Sequence, residues 1–368
     1  MKFQLFILLS ALGTVTGQLD KLAKEAGLLY FGTAVDNPSL NNQNYLRIAR
    51  DPAEFGSLTP ANGQKWSNTQ PSQGRFTYGS GDAIANIARQ TGQQLRCHTL
   101  VWYNQLPGWV SSVYNRDQMQ QIITAHIQNV AGHYKGRCYA WDVVNEAVED
   151  DGRYRNNPMY RAMGVDYITH SFKVAQQTDP AARLYYNDFN IERCCNAKIN
   201  ATIAMIRTVK AAGAPVHGIG MQGHSRVGMS PSKREMKETM ARFSELVDEV
   251  AFTEVDIRHT KLPIGAAERK QQGRDYMEVV GACLEMPKCV GITVWDFTDQ
   301  YSWIPQQYPG EGEACLWDRN YNQKPAYQSI VALLQSAASA GLRTSATPAP
   351  VAAVMTVDEW AATVTAAA

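Results

Sequence analysis

The sequence predicts an α/β fold of the (β/α)8 barrel type (TIM barrel), and two observations carry that expectation. Eight short apolar runs alternate with longer amphipathic stretches, the pattern of a parallel sheet covered by helices. Eight is also the number of strands that closes such a sheet into a barrel. Polar or aromatic residues then recur at the C-terminal end of the runs, and in a barrel those ends all face one mouth.

The runs lie at 28–35, 54–60, 93–102, 138–146, 183–188, 216–224, 249–257 and 290–297. Stretches between them, such as QMQQIITAHIQNVAGHYKG and INATIAMIRTVKAAG, have helical spacing and end near Gly, as helices commonly do. Asn62 and Lys65 follow the second run, His98 and Trp102 end the third, and Asn145 and Glu146 end the fourth. Asn187 and Asp188, Gln222 and His224, Glu254 and Asp256, and Trp295 occupy the corresponding places in the remaining four. Asn62 and Asp188 could equally serve as helix N-caps.

The chain has 368 residues, with 35 basic and 34 acidic side chains. That balance argues against a nucleic-acid partner, which calls for a basic excess. No apolar run reaches the ~18 residues of a membrane span. Residues 1–17 have the layout of a secretory signal peptide, one Lys followed by an apolar stretch and small residues, so a secreted, extracellular protein is expected. Residues 18–335 form the expected single domain. Residues 336–368, rich in Ala, Ser, Thr and Pro, are expected to be a flexible tail. The tail has no Cys and only Trp360, so no binding module is recognised in it. No HExxH, Walker A or strand-linked G-x-G-x-x-G motif occurs, and no metal or other cofactor is expected.

Seven cysteines in an oxidising compartment should pair, and the odd number leaves at least one over. Cys283 and Cys289 could bridge across a turn at Pro287. Cys97, inside an apolar run, is the candidate for a buried free thiol, and the pairing of Cys138, Cys194, Cys195 and Cys315 is open. Asn200-Ala-Thr is a sequon for one N-linked glycan.

The chemistry points to Glu146 and Glu254. Each is a carboxylate at a strand end in an apolar setting, which is costly without a role or a partner. Two facing carboxyl groups can cleave a glycosidic bond, one protonating the leaving oxygen while the other attacks or activates water. Trp faces suit pyranose rings. Trp66, Trp102, Trp295, Trp303 and Trp317 fall at run ends or in the loops that follow, while Trp109 and Trp141 are read as core.

The segments FGTAVDN, NGQKW, HTLVWYNQLPGWV, WDVVNEA, LYYNDFNIE, GIGMQGH, FTEVDIR, GITVWDFTDQYSW and LWDRNYNQKPAY together resemble glycoside hydrolase family 10, the endo-1,4-β-xylanases. The resemblance covers nearly all of residues 18–335. It implies a secreted, monomeric barrel that binds xylan and xylo-oligosaccharides and hydrolyses internal xylosidic bonds with retention. By motif, Glu146 would be the acid/base and Glu254 the nucleophile. Asn145 would bond the sugar 2-hydroxyl, and His224, oriented by Asp256, would bond Glu254. Asn62 and Lys65 would serve the subsite beyond the cleavage point. His98, Trp102, Gln105, Gln222, Trp295 and Trp303 would line the reacting subsites. The resemblance also supports the Cys283–Cys289 pair.

The chain departs from the family in places. Ala61 stands where Glu is usual, which implies weaker binding on the non-reducing side. Tyr103 stands where His is common and Gly223 where Ser is common. Asp296-Phe297 replaces a Gly and a small residue, a bulky pair behind Trp295 that could reshape the groove. Three rival readings exist: a serine hydrolase on GHSRVG, one residue too long for a nucleophile elbow, a non-catalytic sugar-binding barrel, and a β-glycanase for cellulose or mannan.

Overall fold

The computed structural model describes residues 18–342. The expected signal peptide and the end of the tail lie outside them. Nine strands appear in chain order: β1 Tyr30–Val35, β2 Ser57–Pro60, β3 Gln94–Val101, β4 Ala140–Asn145, β5 Arg183–Asp188, β6 Gly218–Met221, β7 His224–Arg226, β8 Glu249–Arg258 and β9 Cys289–Val294. Their order is β6-β5-β4-β3-β2-β1-β9-β8-β7, all pairs parallel, and a further β6–β8 pairing closes the sheet. The result is the (β/α)8 barrel the sequence predicts. The short β7 continues the sixth run and pairs with the end of β8, His224 opposite Asp256.

Helices cover the outside, and several are started by side chains that satisfy free N–H groups. Asn115 caps Arg116–His133, Asn196 caps Ala197–Ala211, and Ser232 with Glu235 forms a capping box on Lys233–Ser244. Neither Asn62 nor Asp188 is an N-cap: the short helix Trp66–Thr69 after Asn62 has no side-chain cap, Asn196 caps the helix after Asp188, and Asp188 instead pairs with Lys198 at 2.9 Å.

The N-terminal end of the barrel interior is plugged. Tyr30, Tyr139 and Tyr185 cluster there, Glu249 accepts from Tyr139 at 2.7 Å and Tyr185 at 2.5 Å, and the Arg96 guanidinium lies 4.5 Å over the Tyr185 ring. The rings fit because the strands beside them carry no side chain. A Cβ on Gly218 would come within 2.4 Å of Tyr185, and one on Gly291 within 2.6 Å of Tyr30. With this end sealed, the open site is at the other.

Three expectations need correction. Cys97 is not free: β3 and β4 are adjacent parallel strands, so Cys97 meets Cys138 at a Cα–Cα distance of 5.7 Å and forms a disulfide. The free thiol is the buried Cys315. Cys194 pairs with Cys195 and Cys283 with Cys289. Order also runs past residue 335. The helix Pro325–Ala340 continues through the start of the Ala-rich stretch, as Ala's helix propensity favours, with Leu334 and Ala337 buried and Gly341 ending it at positive φ. Finally, Trp66 and Trp317 belong to the core. Trp66 stacks on His126 with ring centroids 3.8 Å apart, and Trp317 packs on Phe55, Phe297 and Tyr327. Trp141 is fully buried, and Trp109 is half-buried against that core.

Candidate active site

The C-terminal ends of the strands open into a groove of about 860 Å³. Asn62, Lys65, His98, Trp102, Gln105, Asn145, Glu146, Gln222, His224, Glu254, Trp295 and Trp303 all line it. Asp256 does not, because it lies fully buried behind His224. Asn200 is elsewhere, exposed on the helix Ala197–Ala211, where its Oδ1 accepts from Arg242 at 2.8 Å.

Glu146 leaves β4 at a φ of 56°, in the left-handed region. For a residue with a long side chain this costs of order 1–3 kcal/mol and persists only where neighbours enforce it. Two bonds do so: Glu146 N donates to Asn187 O at 2.9 Å, and Arg155 Nε donates to Glu146 O at 2.8 Å. The twist turns the carboxyl into the groove. Asn145 Nδ2 at 3.2 Å and Gln222 Nε2 at 2.9 Å both donate to its Oε1.

Glu254 is held differently. Asn187 Nδ2 donates to Oε1 at 2.8 Å, and His224 Nε2 meets Oε2 at 3.2 Å. His98 Nδ1 is 4.0 Å from Oε1. Burial alone would raise this carboxyl, but the bond to His224 and the nearby His98, His224 and Lys65 outweigh it and bring the group down to about 2. His224 is raised well above the ordinary imidazole value. Burial works against its charge, but Asp256, 3.0 Å from Nδ1, and Glu254 overcome it. Asp256 is itself fixed by the Trp303 indole, which donates to Oδ2 at 2.7 Å.

The other groove residues form a second connected set. Lys65 Nζ donates to Asn62 Oδ1 at 3.0 Å and lies 4.8 Å over the Trp102 ring. Burial lowers Lys65 to about 8, against the pull of Glu254, Glu146 and Asp36. Gln105 Nε2 also donates to Asn62 Oδ1, at 3.1 Å, and Asn62 Nδ2 donates to Asp36 at 2.8 Å. The Trp102 indole N–H is buried and has no hydrogen-bond partner among the described residues.

Several residues contribute to the site in ways the sequence does not indicate. Asn187 was visible only as one more polar strand end, yet its amide also donates to Asn145 Oδ1 at 2.8 Å and so ties the two glutamates' supports together. Arg96 and Asp142 form a buried ion pair inside the barrel, and Asp142 also holds His98 Nδ1 at 2.9 Å. Opposite charges in the middle of two neighbouring apolar runs were the available signal. Tyr103 sits beside Glu146 with the Arg155 guanidinium 4.3 Å over its ring, and burial and the charge of Glu146 push its hydroxyl up to about 12.

Asp296-Phe297 does not block the groove. Phe297 turns inward onto Tyr45, with centroids 4.5 Å apart. Asp296, at a φ of 64°, folds back to accept from Phe297 N at 2.7 Å and Thr298 N at 3.0 Å.

Comparison with known proteins agrees with this geometry. The family model described as "Glycosyl hydrolase family 10" matches residues 18–333. Endo-1,4-beta-xylanase 1 of Humicola insolens is 51% identical over 328 residues, 89% of this chain and 76% of that protein. Endo-1,4-beta-xylanase D of Talaromyces funiculosus is 48% identical over 90% of this chain and 81% of its own length. Among solved structures, Penicillium canescens endo-1,4-beta-xylanase XylE superposes with a TM-score of 0.83 at 34% identity, covering 87% of this chain and 98% of that one. A xylanase from Bispora sp. MEY-1, solved with xylobiose, gives 0.82 at 34% identity, over 86% and 99%. On the match along almost all of the described barrel, and on these relatives, the chain belongs to glycosyl hydrolase family 10.

Proposed function

We propose that this protein hydrolyses internal β-1,4-xylosidic bonds of xylan with retention of anomeric configuration, as a secreted monomer without a cofactor. Glu254 is the nucleophile and Glu146 the acid/base. The observation that carries the reading is the difference between the two carboxyl environments. Glu254 bonds the His224 imidazole and is held down by His98 and Lys65 as well, whereas the hydrogen-bond partners of Glu146 are neutral, the amides of Asn145 and Gln222 and the hydroxyl of Tyr103. Two carboxyls with environments set apart in this way divide the acid and base roles.

In the first step Glu254 Oε attacks the anomeric carbon, the bond to the leaving oxygen breaks, and Glu146 gives that oxygen its proton. Both amides bond Glu146 Oε1, so the transferable proton belongs on Oε2. In the second step water attacks the same carbon and yields its proton to Glu146, and the ester to Glu254 breaks. His224, oriented by Asp256, holds Glu254 ionised before the attack and again as it leaves in the second step. Asn145 binds the 2-hydroxyl of the reacting sugar. His98, Trp102, Gln105, Gln222, Trp295 and Trp303 surround that ring and its neighbour, and Asn62 and Lys65 hold the next sugar.

Xylo-oligosaccharide hydrolysis followed by NMR tests the proposal. The first anomer released should be β. An α anomer appearing first would exclude the double displacement, and no release from xylan would exclude the substrate.

A further inference from the structure

Carboxyl groups and arginines both line the groove. Asp36 directly follows β1 and Asp296 follows β9, which is β1's neighbour. They stand close enough that Asp36 adds to the upward push that burial exerts on the Asp296 carboxyl. Arg193 follows β5, and Arg226 ends β7. In the closed sheet β5 is four strands from β1 in either direction, which sets Arg193 across the mouth from Asp36, whereas Arg226 is on β7, which pairs with the end of β8.

The arginines differ in how far they are committed. Arg193 donates from Nη1 to Glu235 at 3.0 Å and from Nη2 to Met229 O at 2.9 Å. Arg258, in register with Arg226, is paired with Glu311 at 2.6 Å and lies 4.1 Å over Tyr308. Arg226 is exposed, lines the groove, and has no ion pair or side-chain hydrogen bond among the described residues. Its backbone is nonetheless held, since its carbonyl accepts from Met229 N at 2.9 Å and Val227 N donates to Arg258 O at 2.9 Å. A guanidinium on a fixed backbone, facing a substrate groove and left unpaired, is a fork for a carboxylate. An unbranched xylan backbone is neutral and offers none. A uronic-acid branch does.

We infer that Arg226, with Arg193 beside it, binds the carboxylate of a uronic-acid branch on the polysaccharide. This rests on the xylan reading above and adds to it the residue that reads the branch.

The test compares kcat/KM on a glucuronic-acid-branched xylan with that on an unbranched xylan for wild type, Arg226→Gln and Arg226→Glu. The branched-to-unbranched ratio should fall about three- to fivefold in Arg226→Gln, the scale of an exposed charge pair, and further in Arg226→Glu. Reducing the branch carboxyls to alcohols should remove the difference between wild type and both variants. An equal ratio in all three proteins, or a difference that survives carboxyl reduction, would overturn the inference. Failure of wild type to cleave the unbranched xylan would instead overturn the xylan reading.

Discussion

Asn187 and Glu254 are joined by a 2.8 Å hydrogen bond, and the same Asn187 amide donates at 2.8 Å to Asn145, which in turn donates to Glu146. Thr253 Oγ1 fixes the amide's other end by donating to Asn187 Oδ1 at 2.6 Å. One buried side chain thus sets the spacing of both carboxyls.

Asn187→Ala should therefore lower kcat more than it raises KM. The lost bond to a charged group is worth ~1.5–3 kcal/mol, or roughly a tenfold to hundredfold loss in rate. Asn187→Asp should do something different. A second carboxylate beside Glu254 raises its pKa, so the acid limb of the kcat/KM profile should move up. Steady-state kinetics from acid to neutral pH separates the two.

Stability should respond to pH with opposite signs at two carboxyls. Glu254 is lowered to about 2, so its contribution is complete above the ordinary value and is lost as pH falls from there. The stability gap between wild type and Glu254→Gln should shrink on acidification. Asp296 is raised to about 7, chiefly by burial. Its folded form favours the proton, so it weakens the fold as pH rises from its ordinary value toward 7. Asp296→Asn should gain on wild type over that interval. Chemical denaturation at several pH values reads both, and a pH-independent difference would contradict the assignments.

The disulfides should rank by the chain they enclose. Cys97–Cys138 spans 41 residues and Cys283–Cys289 spans 6. By loop entropy the first is worth about 4 kcal/mol and the second about 2 kcal/mol. Equilibrium unfolding of Cys97→Ser and Cys283→Ser should show that order. Thiol titration should find no reactive group in the native protein and one, Cys315, after denaturation.

Ala61 lines the groove beside Asn62. Ala61→Glu should tighten short xylo-oligosaccharides by about two- to tenfold, one added hydrogen bond. Calorimetry on an inactive Glu254 variant checks it, and unchanged affinity would show that the site already satisfies that hydroxyl.

How much of this was legible in the sequence follows from physics. The barrel was, because strand runs such as 249–257 and 290–297 carry their own apolar pattern and turn signals. The groove residues were, because strand ends in a barrel converge. Cys97 was misjudged because an apolar run says only that it is buried, and its partner is set by strand adjacency. Trp66 and Trp317 were misjudged because a Trp near a strand end can turn either way, and only packing against His126 or Phe297 decides. The bridging role of Asn187 was invisible because it depends on a distance between β4, β5 and β8 that no single run encodes.

The central claim is the division of labour between Glu146 and Glu254. Mass spectrometry of Glu146→Ala quenched on an aryl xylobioside with a good leaving group tests it most directly, since such a substrate needs no acid for the first step. The account predicts a xylobiosyl adduct on the peptide carrying Glu254, while Glu254→Ala forms none and turns over neither this substrate nor xylan. An adduct on another residue, or its absence from Glu146→Ala with the first step lost on both substrates, would contradict it.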